Sequence, residues 1–377
     1  NFLNRIERFE EGAAVIEEVI AAQVAPSNWH GYSVTLADSL LGMGHDGEAR
    51  QVLEDFIEHH PESTPARLAL AEVSLHSRRF DRAAKEIEAA GLDNDSLDVR
   101  DLEWRLAVVS GRWKEAERIA ASFDDRWPGP RILDLALRGR SGEVVAILEK
   151  TVESISDPFT RARWRNGLAI ARLARGEKES AHLQLEMSLQ EGRNETVDRA
   201  LFLQAVSLAS YGEAYEAAEK AEQLKRRAEQ LPSNREIRRW HHLQGELALL
   251  RGDTAAAIAE LELAESMLRP GSRLSHVPIW DSLAQAYEAA DNQAGEERTL
   301  LKIIDAGILR VEFPFIWVRS HYRLALLFES RGDRADRACE LYQTFAELWA
   351  EGDLDLDKVE QARRKARSDA CLLRVPG

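Results

Sequence analysis

The chain has 377 residues, and its 50 Lys+Arg against 65 Asp+Glu leave a formal net charge of −15. That sign argues against a nucleic-acid or anionic-membrane surface, which needs clustered positive charge. Two cysteines cannot form a disulfide framework, and the longest apolar stretches, such as 313–318, are too short to span a bilayer.

The first residue is not Met, and neither a basic-then-apolar leader nor a lipidation signal follows it. Arg8-Phe9-Glu10-Glu11-Gly12-Ala13-Ala14 reads as the second helix of a helical hairpin, so residues 1–29 are expected to be a partial repeat of a chain that continues upstream. Next, Leu36, Leu40 and Leu41, then Val52, Leu53, Phe56 and Ile57, recur at helical spacing. The breaker-rich turn Gly42-Met43-Gly44-His45-Asp46-Gly47 separates them, and Pro61 closes the second run.

This unit repeats. Leu36, Ala37, Leu40, Ala49 and Leu53 return about 34 residues later as Leu70, Ala71, Ser74, Ala83 and Ile87. After about 33 more come Glu103, Trp104, Ala107, Ala116 and Ala120, with Pro128 where Pro61 was. Later rounds carry Leu168, Ala169, Ala181 and Leu185; Ala205, Leu208, Ala217 and Ala221; and Gly245, Ala248, Ala257 and Leu261. Trp280, Leu283, Ala284 and Tyr287 follow, then Leu324, Ala325, Phe328 and Gly332. Small residues at fixed positions let two helices approach, and large ones fill the layer between units. No unit can bury both of its faces alone, so the stack must be contiguous.

On these residues the chain resembles the tetratricopeptide repeat family over about residues 5–352. The resemblance implies an all-α, right-handed α-solenoid of about nine helix–turn–helix repeats ending in a C-terminal capping helix. Repeats 1–3 fall at 30–129, a degenerate unit with a short first helix at 130–161, longer repeats at 162–352, and the cap and tail at 353–377. From about residue 198 the step grows to roughly 39–41 residues, and Glu296 stands where the register asks for alanine, which predicts a looser hairpin there. Trp29, Trp113, Trp127 and Trp280 are expected to fill the layers between helices. Arg331-Gly332-Asp333, Ala338, Tyr342, Phe345, Leu348-Trp349 and the helix 358–370 are similar to the end of repeat regions in bacterial eukaryotic-like serine/threonine kinases and large bacterial regulators. That narrower likeness implies a catalytic or DNA-reading domain upstream and none in this chain.

Motifs for chemistry lack their contexts. Gly42-x-Gly44-x-x-Gly47 spells a dinucleotide fingerprint but follows a helix, and kinase and Walker signatures are absent. His59-His60 and His241-His242 point about 100° apart on a helix, so no metal site is expected. Asp353-Leu354-Asp355-Leu356-Asp357 lacks the glycine and glutamate of a calcium loop and reads as helix capping. Cys339 and Cys371 read as ordinary thiols of a reducing compartment. No cofactor and no enzymatic activity are expected.

In the family, the first helices line the concave face, with their second and fifth positions pointing into it. Here the second positions are Arg163, Arg199, Arg239 and, within one residue, Arg319; the fifth are Asn166, Phe202, His242 and Tyr322. Guanidiniums interleaved with an amide and aromatic rings suit a protein or peptide bearing acidic or carboxylate groups. The expectation is a non-catalytic interaction, scaffold or sensor region of a larger bacterial signalling protein in the cytoplasm. Its groove would bind a peptide, a partner helix or a domain of its own chain. The alternative is a stand-alone scaffold of a membrane-associated or periplasmic assembly, with its leader removed. Phe2, Leu3, Ile6 and Phe9 would stand uncovered at the first helix, which predicts self-association through that end.

Overall fold

A computed structural model describes residues 2–5, 7–22, 29–91, 96–230, 235–368 and 371. Among the described residues the chain is all helix and turn, without strands. A short α1 (Phe2–Arg5) and α2 (Phe9–Ala21) lead into antiparallel pairs: α3 (Trp29–Met43) with α4 (Asp46–His59), α5 (Thr64–His76) with α6 (Phe80–Gly91), and α7 (Leu97–Val109) with α8 (Trp113–Ala120). The pairs α9 (Gly129–Leu137) and α10 (Ser141–Ser154), α11 (Pro158–Ala174) and α12 (Lys178–Glu191), and α13 (Glu195–Ser210) and α14 (Ala214–Ala228) follow. Then come α15 (Arg235–Leu250) and α16 (Thr254–Ser266), α17 (Arg273–Ala289) and α18 (Gln293–Ile304), and a 3-10 helix, Gly307–Val311. The last pair is α19 (Pro314–Arg331) with α20 (Ala335–Leu348), and α21 (Leu356–Ala366) ends the stack.

Local sequence explains the breaks. Most turns within pairs need a left-handed residue to reverse the chain, and Gly44, Gly111, Gly139, Gly176, Gly212 and Gly252 supply it at no steric cost. Arg78 and Asp291 occupy that conformation without being glycine. Asp157, Asp253 and Asn292 accept the backbone N–H of Thr160, Ala256 and Gly295, capping α11, α16 and α18. The dinucleotide-like glycines therefore sit in the α3–α4 turn, with a helix where that motif needs a strand.

Packing follows the small-against-large scheme. Ala49, Ala83, Ala116, Ala181 and Ala257 are fully buried where the helices of a pair cross, with Leu53, Ile87, Leu185 and Leu261 one turn on. A single large cluster joins units distant in sequence, running from Ala71 and Trp104 through Ile132 to Phe328, Trp349 and Ala362.

That cluster reflects the main departure from a simple open stack: the second half of the solenoid stacks on the first. Turns of the early units meet loops between the later ones. Gly271 donates its N–H to the Gly42 carbonyl at 3.0 Å, and the Phe9 ring packs so close to both glycines that a Cβ on either would lie within 2.4 Å of it. Arg78 donates to the Asp305 carbonyl, and Arg105 reaches Glu312 at 3.4 Å. Farther on, Trp349 lies against Gly139, and the Asp353 N–H bonds the Gly139 carbonyl at 2.9 Å. α9, only nine residues long, lies beside α19 at this contact.

Four sequence expectations change. Cys339 and Cys371 form a disulfide, with 5.7 Å between their Cα atoms, because the chain after α21 folds back on α20, a proximity that 32 intervening positions concealed. Asp353 does cap a helix, but a distant one: its carboxylate accepts the N–H groups of Ser141 and Gly142 at 2.7 and 2.8 Å, at the start of α10. Trp127 is 47% exposed rather than packed, since the loop before α9 carries it outward. Phe9 is buried by the α16–α17 loop, so it offers no sticky end; Ile6 and the side chains of Phe2 and Trp29 lie outside the described residues.

Candidate functional site

Successive first helices touch each other along the stack, α3 with α5, α5 with α7, α11 with α13 and α13 with α15, whereas second helices pack chiefly on the first helices flanking them. The first helices therefore form the inner wall. Because the later units stack on the earlier ones, that wall encloses a space lined by both halves.

Its charges are sorted. One side carries Asp38, Glu72 and Asp101; Arg273, from the second half, donates to Glu72 at 2.8 Å, and Arg105 donates to Asp101 at 2.7 Å. Burial and the nearby Glu72 push Asp38 up to about 6. Burial also works against ionisation of Glu72, but the Arg273 guanidinium holds it below the usual carboxylate value. His76, largely desolvated and facing Arg273, falls to about 3 and is neutral at ordinary pH.

The opposite side is cationic. Arg163, Arg199 and Arg239 lie on the adjoining helices α11, α13 and α15. Burial, then the fields of Arg239 and Arg163, pull Arg199 below the usual arginine value, while Glu195 and Glu312 partly offset them. Arg199 is half-buried and Arg163 exposed, and among the described residues neither makes a hydrogen bond or ion pair. Guanidiniums whose mutual repulsion is only partly offset favour an anion.

The remaining residues of the expected column serve the stack. Arg319 donates to Asp355 at 2.7 Å and to the Ala174 carbonyl at 3.3 Å, tying α19 to the α11–α12 turn. Asn166 is buried and donates to the Thr196 carbonyl at 3.1 Å. His242, also buried, lies 2.7 Å from the Ser282 hydroxyl and packs at a tilt against half-buried Phe202, 5.1 Å between ring centres. The Tyr322 hydroxyl donates to Gln361 at 2.6 Å. A fifth position thus faces the next unit, so four of the eight residues hold neighbouring helices together and Arg319 joins the two halves.

Sequence reasoning missed a cleft of about 1020 Å³ between the halves. His76 and Arg78 line it from the α5–α6 turn; Pro270, His276, Trp280, Arg298, Leu301, Lys302 and Ile308 line it from the other side. The signal available was Arg78 in a turn position that most other units give to glycine. Among the described residues, no group of three or more His, Cys, Asp or Glu could hold a metal ion, and no helix is long and apolar enough to cross a membrane.

Antiparallel helix pairs with alanines at their crossings, and first helices forming the inner wall, define a helical-repeat solenoid. Residues 40–106 match the family model described as tetratricopeptide repeat, and the paired helices of the described residues form a tetratricopeptide-like solenoid. No curated protein matches it. Similar solved structures include a human IFIT1 dimer with m7Gppp-AAAA (14% identity, 97% of this chain and 88% of that one, TM-score 0.45). A Rap protein complexed with Competence and Sporulation Factor is 12% identical over 91% of this chain and 96% of its own, TM-score 0.41. A tetratricopeptide repeat protein from Parabacteroides merdae ATCC 43184 is 12% identical, covering 84% of this chain and all of its own, TM-score 0.38. Tetratricopeptide repeats are in general protein- and peptide-binding scaffolds.

Proposed function

We propose that this solenoid is a non-catalytic interaction or sensor region that holds a partner peptide or helix against its inner wall, with Arg163, Arg199 and Arg239 receiving an acidic side chain or carboxylate. The observation that carries this reading is the Arg199 guanidinium, set between two others and bonded to no described residue. Charge-assisted, bidentate bonds to a carboxylate would relieve that repulsion. The likeness of residues 331–370 to the ends of kinase-associated repeat regions supports a place in a larger, cytoplasmic bacterial signalling protein. The occupant is then a partner or a domain of the same chain.

The Cys339–Cys371 bond favours a second reading, a scaffold of a periplasmic or membrane-associated assembly, because oxidising compartments preserve such bonds. Alkylating the thiols as cells are lysed separates the two: a blocked pair supports the scaffold, a labelled pair the cytoplasmic signalling region.

The binding site is tested by reversing Arg163 and Arg199 to Glu. Capture of an acidic peptide should be lost with the melting temperature unchanged. Capture that survives the reversal removes the inner-wall site.

A further inference from the structure

The cleft between the two halves is a second site, separate from the inner-wall arginines. Its size, about 1020 Å³, is at the upper end of those that hold small molecules. Two of its charged groups are already matched: Lys302 donates to Glu265 at 2.6 Å, and the cleft's Glu297 accepts Arg331 and Arg334 from α19 and the turn after it. Its two arginines are matched only by neutral groups. Arg78 donates to the Asp305 carbonyl, and Arg298 donates to the Tyr287 hydroxyl at 3.2 Å. Neither forms an ion pair with a described carboxylate. Arg310 adds to the field at the same edge: it too bonds a carbonyl, that of Gly307, at 2.9 Å, and burial together with the charge of Arg78 lowers it to about 10.

Apart from the Asp305 carboxylate, the rest of the cleft is largely apolar and aromatic. Trp280 meets His276 edge-on at 5.3 Å, and its indole N–H is held by Glu265 at 2.7 Å, fixing the ring as a wall. Leu301, Ile308 and Leu309 line the cleft with it. Burial keeps His276 below its usual value, so the wall carries no imidazolium charge at neutral pH.

We infer that this cleft binds a small organic anion with an aromatic or branched apolar body, its acid group between Arg78 and Arg298 and its body against Trp280, Leu301 and Ile308. Arg78 belongs to the first half and the other contacts to the second, so the bound anion pins the halves together. Such a ligand binds the closed arrangement and raises its stability by mass action.

The test uses the full chain and 8-anilinonaphthalene-1-sulfonate, an aromatic sulfonate that reports an apolar site by fluorescence. The intact protein should bind it saturably at one site, with a rise in melting temperature. Arg78→Glu or Arg298→Glu should weaken binding about tenfold or more, the loss of one charge-assisted bond, and abolish the rise. Arg298→Gln should fall between. Near-UV circular dichroism unchanged from the parent certifies each variant as folded. Arg199→Glu should leave dye binding intact, which keeps this site distinct from the peptide site. The inference is overturned by unsaturable dye binding, by binding unaltered in folded Arg78→Glu and Arg298→Glu, or by loss in Arg199→Glu alone.

Discussion

The first units, from α3 to α8, and the later ones, from α15 to α20, use one packing scheme at two lengths. Early units advance by about 33–34 residues and later ones by about 40. The added residues of the later units are shared between longer first helices, of 16, 17 and 18 residues against 15, 13 and 13, and the loops around 268–272 and 305–313, and those loops reach the earlier half. Extra length at a loop costs little conformational entropy when its ends are already close, so the longer repeats gain contacts between halves without disturbing their own crossings. A repeat protein held only by neighbours behaves as a linear array; these loops add contacts between units hundreds of residues apart.

The sharpest way to break that arrangement is at Arg238. This buried guanidinium, 1% exposed, donates from its two terminal nitrogens to both oxygens of Glu7 at 2.8 and 2.9 Å, and to Ser272 and Ser275 at 3.1 Å each. Glu7→Ala strands the charge and should cost about 3–5 kcal/mol in denaturant unfolding. A cost under about 1 kcal/mol would mean that the two ends do not meet.

Within a single unit the expected effect is smaller. Ala257→Leu overfills the α15–α16 crossing and should cost roughly 1–3 kcal/mol, read as a lower denaturation midpoint. Full stability would refute the repeat register.

Glu296 sharpens the comparison in the opposite direction. It stands where Ala49, Ala83 and Ala257 stand in other units, and it is 7% exposed. The α17–α18 pair still packs closely around it. Burial, then repulsion from Glu288, raises it to about 7. The folded state therefore keeps a proton that the unfolded chain releases near its ordinary value of 4.5, and stability falls as pH rises between 4.5 and about 7. Glu296→Ala should gain about 1–2 kcal/mol at pH 8 and little at pH 4.5. Equal effects at both values would show the carboxyl to be solvated.

His321 carries an effect on the acid side. Burial keeps it at about 4, so protons taken up by the unfolded chain below its ordinary 6.5 are refused by the fold. Stability should decline as pH drops from about 6.5 toward 4, and His321→Gln should flatten that decline by roughly 1 kcal/mol at pH 5. An unchanged slope would assign the acid sensitivity elsewhere.

The helix pairs were legible because alanine, leucine and glycine recur at positions fixed by the crossing geometry. The closure was not. Gly42 and Gly271 look like ordinary turn residues, and only the fold shows that each leaves room for the Phe9 ring. Likewise Asp353 reads as an acid before its own helix, whereas its partners Ser141, Gly142 and Arg175 are set by the superhelix. The repeat frame put Arg163, Arg199 and Arg239 on adjoining first helices, but a frame cannot tell a side chain facing open space from one facing the next unit. Asn166, His242 and Tyr322 turned out to be of the second kind. The Arg78 cleft draws on both halves, so no window of sequence contains it.

Small-angle X-ray scattering of the intact chain tests the closure most directly. Stacked halves predict a compact particle, with a radius of gyration roughly 21–25 Å against about 21 Å for a solid globule of this length, and an increase on Glu7→Ala. A pair-distance distribution with the long tail of an open superhelix, already present in the parent and unchanged in the variant, would contradict it.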